Sequence, residues 1–322
     1  MTVTQRIIAL AALCACATVA QAQTWPTRPV RIIAPFAAGG TADLLGRIAA
    51  GKLSESLGQS FIVENRPGAG GVLGSELVAR SAPDGYTLLV SGVASHAVAP
   101  ALSPKFPFDP VKDFAHIALF GGPPSVLAVH PSMPVKDLKS FIAFAKTKPR
   151  ELSYGSPGNG TQGHLIAELF KRSAGIDIQH VPYKGASGAV VDVVAGHTHA
   201  ISTTLTTAST QIRAGRLRAI AISSAARLPD YAEVPTYRES GYPELVAVIW
   251  FSLSGPAALP AEIVNRLNSE VRRALQLPDV RARLRPEGIE PGTMDAKAFT
   301  EFVAAEVKRW APVVRASGAR AD

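Results

Sequence analysis

The chain has 322 residues, 47% of them hydrophobic and 18% charged, with a net charge of +8. That balance excludes intrinsic disorder, and 27 Gly and 25 Pro spread without period exclude a collagen-like repeat. The length suits two domains, and Lys and Arg are scattered without long runs or interleaved aromatics, which argues against nucleic acid as a partner.

Arg6 precedes a short apolar run, Ile7 to Ala20, that ends at Ala20-Gln21-Ala22. One positive charge, a short apolar stretch and an A-x-A site predict a signal peptide over residues 1–22, cleaved after Ala22. A membrane anchor would need a longer span, and a lipobox at Leu13-Cys14-Ala15-Cys16 would leave a very short apolar region. Cleavage removes both cysteines, Cys14 and Cys16, so the exported chain has no disulfide, thiol nucleophile or cysteine metal ligand.

Beyond that point strand-like runs alternate with helical patterns. Residues 29–35 read as a buried strand, followed by the loop Phe36-Ala37-Ala38-Gly39-Gly40-Thr41 and a helix carrying Leu44, Leu45, Ile48, Ala49 and Leu53. Phe61 to Glu64 is a second strand, Gly68 to Gly71 a second glycine-rich turn, and Asp84-Gly85 a turn into the strand 86–90. Gly121-Gly122-Pro123-Pro124 marks a boundary. Past it come strand 126–129, helix 135–146, strand 152–155, helix 165–174, strand 178–183, helix 189–195 and strands 200–203 and 217–222. After Trp250 the pattern is helical, with one stripe of Ile263, Leu267, Val271 and Leu275 and another of Phe299, Phe302, Val303 and Trp310. The total is an α/β chain with parallel or mixed sheets covered by helices.

No catalytic signature is present: there is no G-x-S-x-G, no H-E-x-x-H and no S-x-x-K set with its partners. Gly68 to Gly74 misses the dinucleotide fingerprint because Leu73 stands at the last glycine position. His197-Thr198-His199 has the spacing of two ligands on one strand face, but no third ligand lies nearby and the segment reads as a turn entering a strand. Four strand-to-helix junctions are small and polar: 35–43, 91–96, 156–164 and 184–187. Such junctions are where α/β folds bind ligands, and helix starts favour anions. Capping by Thr41, Ser156, Thr161 or Ser187 would account for any one of them alone.

Trp25 to Asp43, with its Pro35-Phe36-Ala37-Ala38-Gly39-Gly40 loop, resembles the periplasmic receptors of the tripartite tricarboxylate transporter family, also called the Bug family. The resemblance continues through Glu64-Asn65-Arg66-Pro67-Gly68-Ala69-Gly70-Gly71, Ala82 to Leu88, Asp109 to Phe114, Leu152 to Gly160, His180 to Gly185, Gln211 to Gly215 and Trp250-Phe251. It implies a two-lobed type II periplasmic-binding-protein fold, each lobe a mixed sheet flanked by helices, with a ligand cleft between them. Residues 23–122 and 249–322 would form lobe 1 and residues 123–248 lobe 2, with hinges near Gly121-Gly122 and Ile249-Trp250. It further implies a monomeric periplasmic protein, not an enzyme, that needs no cofactor or metal. Such a receptor would deliver a small carboxylate (a dicarboxylate, tricarboxylate or aromatic acid) to integral membrane subunits. A periplasmic sensor signalling to a membrane histidine kinase would use the same cleft, and gene neighbourhood discriminates the two. A secreted hydrolase would instead need a nucleophile and base within reach in the cleft.

Carried over by motif, the ligand-binding positions are Phe36, Ala38, Gly39, Thr41 and Asp43 in the first loop. Ser95 follows the third strand, Ser156, Asn159, Thr161 and His164 lie in the lobe-2 loop, and Tyr183, Lys184 and Gly185 follow. Gly39 and Gly40 are expected to offer main-chain N–H groups to a carboxylate. The chain departs from the family after Gly196, where two usually acidic positions are His199 and Thr203. Thr203 carries no charge, which implies an acid without an ammonium group, because a buried unpaired ammonium is costly.

Overall fold

The computed structural model describes residues 25–103, 105–247 and 249–317; the expected signal peptide lies outside them. Two five-stranded sheets organise the chain. The first begins with β1 (Val30–Ala34), whose nearly continuous apolar sequence suits burial on both faces. Helix α1 (Thr41–Leu57) returns the chain to β2 (Phe61–Asn65), parallel to β1 with Val30 opposite Phe61. The glycine turn at 69–71 leads into α2 (Val72–Ala79) and then β3 (Thr87–Gly92), on the other side of β1. A wide turn of helix at 94–98 and the short α3 (Ala99–Leu102) precede β4 (Phe114–Gly121).

The chain then crosses to the second sheet through β5 (Ser125–Val129), α4 (Leu138–Thr147), β6 (Ser153–Ser156), α5 (Gln162–Ala174), β7 (Gln179–Pro182), α6 (Ala186–Val194), β8 (Ala200–Thr204), α7 (Leu205–Arg213) and β9 (Arg218–Ile222). It returns to the first sheet as β10 (Phe251–Pro256), followed by α8 (Ala261–Leu275), α9 (Pro278–Leu284) and α10 (Ala296–Ser317).

The strand orders are β2-β1-β3-β10-β4 and β7-β6-β8-β5-β9. In each sheet four strands run in one direction, and the strand arriving from the other sheet, β10 or β5, lies antiparallel between two of them. Alternation of side chains gives each sheet two cores. Ile32 faces the cluster that includes Leu45, Leu267 and Phe299, whereas Ile33 faces Val78, Phe108 and Phe114. In the second sheet Leu127 packs with Phe141 and Phe170, and Val126 with Val190 and Leu205.

Several elements depart from the sequence expectation: β4 and α7 are additional, and α5 and α6 each start three residues earlier than expected. The segment after Trp250 opens with a strand, β10, whose Ser252 and Ser254 alternate with Leu253 and both hydrogen-bond Ser91 at 2.6 Å. The helix expected from residue 135 starts at Leu138, because Asp137 caps it: its Oδ1 accepts the Ser140 N–H at 2.7 Å. His197 and His199 sit in the turn before β8, as their sequence suggested. His199 Nδ1 accepts the Ser153 N–H at 3.1 Å, while His197 lies 3.6 Å from Asp192.

The two crossings run side by side. Ile249 N–H donates to Pro123 O at 3.2 Å, Ala247 N–H to Ser223 O at 2.9 Å, and Val93 N–H to Trp250 O at 3.2 Å. A Cβ at Gly122 would fall 1.3 Å from Ile249 O, so only glycine lets the strands approach this closely. Trp250 is anchored from the far side, its Nε1–H donating to the buried Glu306 at 2.9 Å.

Candidate functional site

A cavity of about 60 Å³ lies where the C-terminal ends of both sheets meet, with space for roughly four to six waters at ~10–15 Å³ each. From the first sheet it is lined by Phe36, Gly40, Thr41 and Ala42 and by Gly92 to Ser95. From the second it is lined by Pro157, Thr161, Gln162, Gly163, Ala186, Thr204 and Thr207, and at the crossings by Ile249 and Phe251. Phe36, Val93, Ala94, Pro157, Ala186, Ile249 and Phe251 supply carbon walls. No charged side chain lines it among the described residues.

Four helices begin at this cavity: α1, α5, α6 and α7. Only α5 has a side-chain cap, from Thr161; Gly40, Gly185 and Thr204 provide none. Uncapped helix starts carry N–H groups without intrahelical partners and a partial positive charge, so the walls attract an anion although no cation lines them.

The two halves of the wall touch directly. Thr41 Oγ1 lies 2.7 Å from Thr204 Oγ1, and Ser187 Oγ–H donates to Ala38 O at 2.8 Å. A Cβ on Gly185 would meet Ala37 N at 3.0 Å, and one on Gly70 would meet Asn159 O at 2.7 Å. The lobes are therefore in contact around the cavity.

Of the positions expected from sequence, Phe36, Thr41, Ser95 and Thr161 line it. Asp43 does something else. Its Oδ2 accepts the Gly39 N–H at 3.1 Å and Arg47 Nε–H at 3.0 Å; its Oδ1 accepts Asn65 Nδ2–H at 3.1 Å and lies 2.9 Å from Arg47. Burial alone would raise its pKa, but these hydrogen bonds from Arg47, Gly39 and Asn65 outweigh it and hold the carboxyl below its ordinary range. Asn65 also donates to Phe36 O at 3.0 Å, so the Asp43–Asn65 pair braces the whole loop. The Gly39 N–H thus donates to Asp43, and the residues of this segment that line the cavity are Phe36, Gly40, Thr41 and Ala42.

The lobe-2 positions divide in the same way. Ser156 is fully buried behind the cavity, 2.6 Å from His180 Nε2, and His164 stacks on His180 with ring centroids 4.1 Å apart. Burial, with His164 and Lys171 nearby, lowers His180 to about 3. Asn159 lines a separate groove with Ala69, Val72, Leu102 and Phe106. Tyr183 donates its hydroxyl to Asp192 at 2.5 Å and is raised to about 12 by burial and that carboxylate. Lys184 is exposed, and Gly185 fits against Ala37 rather than the cavity. Thr203 is fully buried on β8 away from the lining, which its neighbour Thr204 joins instead.

Sequence reasoning missed Gln162, Thr207, Ile249 and Phe251 as lining residues. The hydroxyl-rich run from Ser202 to Thr207 carried a signal for Thr207. For Gln162 the signal was its place one residue after a helix cap.

The chain matches the family model described as the tripartite tricarboxylate transporter family receptor over residues 45–319. It is 39% identical to Protein BugT of Bordetella pertussis over 300 residues, covering 93% of this chain and 92% of that one. Among solved structures it resembles R. palustris Rpa4515 with adipate (TM-score 0.89, 36% identity, covering 92% of this chain and 99% of that one). It also resembles MatC of Rhodopseudomonas palustris with bound malate (TM-score 0.86, 33% identity, covering 90% and 100%).

Proposed function

The chain belongs to the tripartite tricarboxylate transporter receptor family, and from that premise we propose that it is a monomeric periplasmic solute receptor. It captures a small organic carboxylate in the cavity between its lobes and delivers it to integral membrane subunits. The observation that carries this reading is the meeting of four helix starts, three without side-chain caps, around a cavity that no charged side chain lines among the described residues. Main-chain N–H groups then do the work of a cation, and the carbon walls accept the rest of the acid. Relatives crystallised with adipate and malate support the same ligand class. Among the described residues no helix is long and apolar enough to cross a membrane.

The alternative of a secreted hydrolase would need a serine–histidine pair in the cavity, and among the described residues the pair whose serine lines it is Ser95, with its Oγ 3.0 Å from His96 Nδ1. Burial, with His116 nearby, pushes His96 well below its ordinary pKa, and its Nε2 has no partner. A ring that resists protonation and lacks an orienting carboxylate is a poor general base, so we assign the pair to the buried wall and not to chemistry.

A thermal-shift screen across dicarboxylates, tricarboxylates and aromatic acids tests the proposal. A ligand at 100 times its Kd should add about 2.7 kcal/mol, a shift of several degrees. A screen in which no carboxylate shifts the transition would refute the ligand class.

A further inference from the structure

We propose that Gln162 selects among acids by reading a neutral group that both donates and accepts hydrogen bonds, an alcohol or a carboxamide carried beside the carboxylate. The inference rests on the reading of the cavity as a carboxylate site and adds the identity of the ligand's second polar group.

Gln162 is the first residue of α5, lines the cavity and is only 2% exposed. Neither its Nε2 nor its Oε1 has a hydrogen-bond partner. Exchange of the two amide atoms changes nothing, because both are unpartnered. The hydroxyls that line the cavity with it are already engaged. Thr41 and Thr204 pair at 2.7 Å, Thr204 and Thr207 at 2.8 Å, Thr161 donates to Gly158 O at 2.7 Å, and Ser95 is held by His96.

A buried amide with two idle ends carries a cost when no molecule in the cavity meets them. A bound molecule that satisfies both ends removes it. The donor Nε2 needs an acceptor, and the acceptor Oε1 needs a donor. A second carboxylate meets only the first need and sets an anion against Oε1. A hydroxyl or a carboxamide meets both. A site built to hydrogen-bond such a group discriminates strongly against the analogue that lacks it.

The experiment measures Kd by calorimetry on the full exported protein for succinate, malate and succinamate, with glutarate, 2-hydroxyglutarate and glutaramate as the longer set. Malate and succinate share charge and length, so their ratio isolates the hydroxyl. We expect the better-bound set to favour its hydroxy or carboxamide member over the plain diacid at least tenfold, equal to 1.4 kcal/mol. In Gln162→Met, which keeps the side chain's length but removes both polar ends, that preference should fall below threefold. Gln162→Glu, which keeps acceptors and loses the donors, should bind every acid at least tenfold more weakly, and circular dichroism establishes that both variants fold. A wild-type preference under tenfold, or one that persists in Gln162→Met, overturns the proposal while leaving the carboxylate reading intact. Failure of all six acids, and of the wider screen, to bind removes the carboxylate reading and this proposal with it.

Discussion

Replacing Gly70 by alanine should weaken ligand binding without unfolding the protein. Gly70 has φ +62°, and an alanine in that left-handed region costs about 1–2 kcal/mol whatever the lobes are doing. The second effect depends on closure. The added Cβ would stand 2.7 Å from the carbonyl oxygen of Asn159, which belongs to the opposite sheet's loop. Relieving such an overlap costs typically about 1–3 kcal/mol, and only when the lobes meet. That predicts a Kd roughly 5- to 150-fold higher than wild type. Gly58→Ala provides the control: φ is +71°, but nothing lies within 4 Å of the new Cβ. Both variants should melt lower by about 2–4 °C per kcal/mol of shared strain. Only Gly70→Ala should lose affinity, measured by calorimetry with the tightest acid from the screen. Equal affinities in the two variants would refute the claim that binding requires this contact between lobes.

Three further outcomes follow from the same geometry. Asp43→Ala should cost about 1–2 kcal/mol in urea titration and weaken all acids by one common factor, because Asp43 braces the loop; a selective loss of amino acids would instead make it an ammonium acceptor. Stability should fall on acidification, since burial lowers His116 to about 4 from its ordinary 6.5. The unfolded chain then binds the extra proton between those values, so the contribution is complete above pH 6.5 and about 2 kcal/mol is lost by pH 5. His180, lowered to about 3, adds in the same direction, and a urea midpoint unchanged between pH 7 and pH 5 would contradict both. Succinate should bind more tightly than aspartate, because no carboxylate lines the cavity among the described residues to receive an ammonium; the reverse order in calorimetry would sink that inference.

What the sequence made legible depended on how each residue is buried. Val126 to Val129 is apolar on both faces and reads as a strand without ambiguity. β10 did not read as a strand because its alternate residues, Ser252 and Ser254, face a serine across the sheet instead of a methyl group. In the site, the motif points to loops, while the partners of individual atoms there depend on contacts that sequence does not display. Gly39 resembles an anion-binding glycine, yet a carboxylate four residues on, invisible as a partner in sequence, claims its N–H. Thr203 and Thr204 are chemically alike, and only their orientation at the strand end decides which one reaches the cavity. Gln162 needed the second lobe in place before its burial could be seen.

In the proposed function the backbone of converging helix starts holds the carboxylate. A crystal structure of the protein with its tightest-binding acid tests this most directly. Carboxylate oxygens are expected inside the cavity walled by Phe36 and Phe251. They should lie within hydrogen-bond distance of N–H groups at the start of α1, directly or through one water, with no lysine or arginine side chain on them. A carboxylate paired with Lys184 or any other side-chain cation, or bound outside this cavity, would contradict it.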